Sequence, residues 1–142
     1  MTSAPFEGKH YHLERPLNLP QSLTRPHPPI MIAGDGEKKT LRLVARYADA
    51  CSLRPSPEIP RKLDVLRRYC EEKGREYGEI EKTCAFAFDV GERGEKAGEL
   101  VGQLRWLAGM GVETVIGMVP NVDKISLLEV IGSEVIPGAA DV

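Results

Sequence analysis

Apolar residues in this chain come in short continuous runs, each followed by a stretch at helical spacing. Ile30-Met31-Ile32-Ala33 is the first run and ends in Gly34-Asp35-Gly36, the pattern of a buried strand entering a tight turn. Leu41, Val44, Ala45 and Ala48 then recur on one helical face, opposite Lys38, Lys39, Arg42 and Arg46, and predict a helix ending near Tyr47. Ala50 to Leu53 is a second strand, and a Pro-rich loop leads from it into a helix from about Glu58 to Lys73, stopped by Gly74. The third unit has a strand over Thr83 to Val90, a turn over Gly91 to Gly94, and a helix carrying Ala97, Leu100, Val101, Leu104, Leu107 and Ala108, closed by Gly109 and Gly111. Thr114 to Met118 supplies a fourth strand, and Ser126 to Ile136 a last helix stopped by Pro137 and Gly138. Before Ile30, six prolines (Pro5, Pro16, Pro20, Pro26, Pro28 and Pro29) and no sustained periodicity predict an extended or looped lead-in over residues 1–29.

Continuous apolar strands alternating with amphipathic helices predict an α/β fold with a parallel sheet, because each parallel crossover is right-handed and needs a covering helix. Four strand-helix units over residues 30–142 amount to about half of a (β/α)8 barrel of the TIM type, which closes with about 250 residues. The alternative is an open doubly wound sheet of flavodoxin type, which has about five strands.

Composition narrows the partners. In 142 residues, 42% are hydrophobic and 28% charged, so the chain has enough apolar surface for a packed core. A net charge of -2 with interspersed signs gives no basic stripe for a phosphodiester backbone and no polybasic cluster for anionic lipid, so neither nucleic acid nor membrane is expected as a partner. Cys51, Cys70 and Cys84 are odd in number and never spaced as CxxC, which argues against a disulfide framework and for a reducing cytoplasm. No apolar run approaches the roughly 20 residues of a membrane helix, and Met1 to Phe6 lacks a signal-peptide start, so no export is expected.

The chemistry concentrates at Ile32-Ala33-Gly34-Asp35-Gly36-Glu37-Lys38-Lys39-Thr40, where two glycines join a strand end to a helix start. Such a turn exposes unpaired backbone N–H groups at the positive end of the helix dipole, so it can stabilise a phosphate without any side chain. The spacing is neither a P-loop nor GxGxxG, since Lys39 stands where the third glycine belongs, and a plain strand-to-helix turn remains the other reading. His10 and His12 form an HxH pair in the lead-in, but no third residue at ligand spacing completes a metal site. Asp49 is expected to cap a neighbouring backbone, Cys51 and Cys84 to be buried thiols, and Trp106 to pack or face a partner.

The run Pro28 to Asp49 resembles the luciferase-like monooxygenase superfamily, in particular its F420-dependent branch. Gly8-Lys9-His10-Tyr11 resembles the family segment ahead of that strand, and Glu134-Val135-Ile136-Pro137 its carboxy-terminal ending. The resemblance implies a barrel that holds FMN or F420 at the carboxyl ends of its strands and passes hydride between cofactor and an organic substrate. It implies that Ala33, Gly34, Asp35, Gly36 and Glu37 hold cofactor phosphate, with charge added by Lys38 or Lys39, and that His10 or His12 contacts substrate. No catalytic acid or base is identifiable. Asp35 stands where the family commonly has a small neutral residue, and a carboxylate beside a phosphate is repulsive, so its side chain is expected to point away. Four units where the family has eight leave two sheet edges and an apolar face open, which predicts a homodimer. The alternative function is a non-catalytic half-barrel assembly or phosphate-ligand-binding module.

Overall fold

The computed structural model describes residues 4–17 and 19–140. A two-stranded antiparallel ribbon comes first, β1 (Phe6–Glu7) and β2 (His12–Leu13), with the Gly8 N–H donating to the Tyr11 carbonyl (2.9 Å) at its bend. The remaining strands, β3 (Met31–Ala33), β4 (Ala50–Leu53), β5 (Glu81–Ala87) and β6 (Thr114–Met118), pair in parallel and in chain order. Between and after them run α1 (Thr40–Tyr47), α2 (Ile59–Lys73), α3 (Ala97–Gly109), α4 (Ile125–Val130) and α5 (Ile136–Ala139). This is the expected α/β architecture: a four-stranded parallel sheet alternating with helices, the order of half a TIM-type barrel.

Register separates the two faces. Leu53, Cys84 and Val115 align across β4, β5 and β6 and face the helices. There Leu41, Val44 and Ala45 of α1 and Ile59, Leu63, Leu66 and Cys70 of α2 join them in one cluster. Val90, Ala97, Leu100, Leu127, Ile131 and Val135 form a second cluster under α3 and the last helices, and Phe86 touches both. The opposite row, Ala33, Ser52, Thr83 and Thr114, faces away from the helices. On that face Met31, Ile116 and Met118 are exposed.

Local chemistry explains the boundaries. The Ile30 N–H donates to the Asp49 carboxylate (2.7 Å), while the Asp49 N–H returns a bond to the Ile30 carbonyl (2.8 Å), so Asp49 caps the neighbouring strand start as expected. Gly74 ends α2 at φ +63, and Arg75 after it donates to the Ala48 carbonyl (2.7 Å) at the end of α1.

Several element boundaries differ from expectation: β3 starts at Met31 and β5 ends at Ala87, each shorter than its apolar run, and two further differences have a visible cause. β5 starts at Glu81 rather than Thr83, because Glu81 donates to the Asp49 carbonyl (2.9 Å) and pairing therefore begins two residues earlier. That places Lys82 in the strand with its side chain buried, its ammonium 2.5 Å from Glu113 and over the Tyr77 ring. The last helix begins at Ile125 and runs past Pro137 and Gly138 to Ala139. A π-helical turn over Ile131–Val135 precedes Pro137, and Pro137 then sits in the first turn of α5, where its missing N–H breaks no bond.

Leu66 of α2 is fully buried in the larger cluster. Leu66→Ala is expected to destabilise the protein by about 2–5 kcal/mol, read as a lower urea midpoint with an unchanged slope.

Candidate functional site

The turn between β3 and α1 forms at the carboxyl end of the sheet, where parallel strands deliver their loops. Gly34 has φ +117, a conformation that strains any side-chain-bearing residue. Gly36 needs no such angle; a Cβ there would stand 3.1 Å from the Thr40 hydroxyl, so it is close approach that favours glycine. The Gly34 N–H is already committed to the Ser52 carbonyl (2.9 Å), tying the turn to β4. The N–H groups of Asp35, Gly36 and Glu37 donate to no other group among the described residues, and they precede the amino end of α1. The run of uncommitted N–H groups therefore begins one residue after Gly34.

Side chains around the turn are ordered by charge. Asp35 accepts from Lys62 of α2 (2.7 Å) on one oxygen and from Arg54 (3.0 Å) on the other. The Lys62 hydrogen bond, then that of Arg54, hold its carboxyl well below the ordinary 3.8, at about 2. The carboxylate lines the cleft beside the turn, and the two cations neutralise it there. Glu37 pairs with Arg61 of α2 (2.7 Å) and does not line the cleft beside the turn.

Ala33, Gly34, Asp35 and Gly36 share an open cleft of about 530 Å³ with Thr40, Ser52 and Arg54. Lys38 and Lys39 lie elsewhere, with Arg42, Arg46 and Lys73 along a basic groove of about 540 Å³ between α1 and α2. His10 and His12 sit on the exposed amino-terminal ribbon, where His12 pairs with Glu7 (2.5 Å), and neither lines the cleft. Among the described residues no group of three or more His, Cys, Asp or Glu could hold a metal, and no helix is long and apolar enough to cross a membrane. Cys51, Cys70 and Cys84 are buried free thiols, and Trp106 is half exposed on α3.

Sequence reasoning missed Ser52, Arg54 and Lys62 as neighbours of the turn. A usable signal existed for Arg54: it directly follows β4, and residues just past the carboxyl ends of adjacent parallel strands converge on one site.

A four-stranded parallel sheet alternating with helices, with a glycine turn at its carboxyl end, defines a partial barrel of the TIM type. The family model for luciferase-like monooxygenases matches residues 2–127, and the chain belongs to that family. No curated protein matches it. The family typically uses flavin or F420 cofactors and small-molecule substrates, which places this domain with the flavin- and F420-type oxidoreductases.

Because the carboxyl of Asp35 titrates lower in the folded protein than in the unfolded chain, its stabilising contribution is complete above pH 3.8 and is lost as pH falls toward 2. Thermal unfolding of the wild type is expected to show that loss between pH 4 and about 2, and Asp35→Asn is expected to lack this component.

Proposed function

We propose that this chain is an oxidoreductase domain that binds F420 or FMN with the cofactor phosphate in the Gly34 to Gly36 turn. The observation that carries the reading is the row of uncommitted N–H groups on Asp35, Gly36 and Glu37 ahead of α1. Ala33 and Gly34 supply the close approach, and the Thr40 hydroxyl beside Gly36 is a further donor within the cradle. When bound, the cofactor ring supplies the redox chemistry. The chain's own part is to bind and orient it, with His10 or His12 reaching substrate from the lead-in over residues 1–29 and the strand-helix units of 30–142 forming the cofactor body. Three buried free cysteines accord with a cytoplasmic setting.

Titrating purified protein with F420 and with FMN, and following cofactor fluorescence, tests this reading. Saturable quenching at micromolar concentration is the expected outcome; no quenching by either would remove it.

A second reading, a half-barrel assembly, is favoured by the open sheet face. Met31 is 48% exposed, Ile116 46% and Met118 79%, and β3 and β6 have free edges. A second copy of the chain covers that face and pairs those edges in a homodimer. The mass in solution is expected to be that of a dimer, and Met118→Glu is expected to shift it toward monomer without changing the far-ultraviolet circular dichroism. A monomeric wild type overturns the assembly.

A further inference from the structure

Around the turn runs a single chain of alternating charges. Glu37 pairs with Arg61 (2.7 Å), Arg61 with Glu58 (3.5 Å), Glu58 with Lys62 (3.5 Å), Lys62 with Asp35 (2.7 Å) and Asp35 with Arg54 (3.0 Å). Every member but the two ends has a partner on each side. One end is Glu37, whose charge faces α2. The other is Arg54, whose side chain is 82% exposed and lines the same cleft as the turn.

Arg54 donates through one nitrogen only. A guanidinium carries five N–H donors in a planar fork, so most of its donors remain uncommitted on a residue that lines the cleft. Asp35 in turn is fixed by Lys62, whose ammonium has a side chain only 10% exposed, so the carboxylate that tethers Arg54 is itself held in place. A flexible surface arginine would lose rotamer freedom on contacting an anion; one already anchored loses less.

We infer that Arg54 is a side-chain ligand for the cofactor phosphate, held over the glycine turn by Asp35. The inference rests on the phosphate reading of that turn. It gives the carboxylate in the middle of an anion site a positive role. Asp35 places a cation where backbone N–H groups alone would meet the phosphate, and Lys62 balances the charge that Asp35 brings.

The test is a binding titration with FMN and F420, each beside the same chromophore lacking its phosphate, on the wild type, Arg54→Gln and Arg54→Lys. Loss of a charge-assisted bond is expected to weaken the phosphorylated ligand at least tenfold in Arg54→Gln. The phosphate-free ligand is expected to keep its affinity in that variant, and Arg54→Lys to recover part of the loss. Arg54 is exposed, so the variants are expected to retain the wild-type melting temperature. Wild type that prefers the phosphorylated ligand, with the preference intact in Arg54→Gln, overturns the role of Arg54 and leaves the turn as a phosphate site. Wild type that does not distinguish the two forms, or binds neither, overturns the phosphate reading and the inference with it.

Discussion

Helices cover this parallel sheet on one face only, and most of the molecule follows from that asymmetry. Parallel strands need helical crossovers, and right-handed crossovers taken in chain order place every helix on the same side. Leu53, Cys84 and Val115 can then be apolar without exception, while Ser52, Thr83 and Thr114 in the neighbouring row are polar or small enough to face an interior or a partner. The same order brings all the loops that follow strands to one edge, which is where the glycine turn and Arg54 meet.

Turn and helix are held together by charge rather than by apolar contact. Asp35 and Glu37 belong to the turn, Glu58, Arg61 and Lys62 to the start of α2, so the ion pairs bridge two units of the repeat. Exposed pairs of this kind add little stability one at a time. The Lys62 and Asp35 pair, with both side chains largely withdrawn from water, is different: removing one partner strands the other. Such a pair selects one placement of the turn against α2, and the backbone N–H groups are aimed as a result.

Much of this was legible in the residues themselves. β4 and β6 occupy the spans their apolar runs predict, and α1 buries Leu41, Val44 and Ala45, with Ala48 buried just past its end, as the spacing requires. Periodicity reads such elements because each is decided by which residues leave water. It could not read Lys82 as the second residue of β5, since a buried lysine is made tolerable by Glu113, 31 residues away. Nor could it place Pro137 within a helix, because a π turn, Ile131–Val135, precedes it and no periodicity in the sequence marks such a turn. At the site, the glycines and their neighbours were readable from spacing, and the repulsion that the Asp35 carboxylate brings to the turn from electrostatics. Its partners Arg54 and Lys62 were not, because they come from other units and only the fold assembles them.

The three cysteines have one more consequence. Burial raises the pKa of Cys51, Cys70 and Cys84 alike, and the Cys84 thiol is further engaged with the Leu53 carbonyl at 3.1 Å. Thiolate is the reactive form, so all three are slow toward alkylating reagents at neutral pH while the fold is intact. A cysteine introduced on the exposed sheet face would therefore take up a maleimide dye or spin label ahead of the native ones. The wild-type background can serve directly for distance measurements across whatever covers that face.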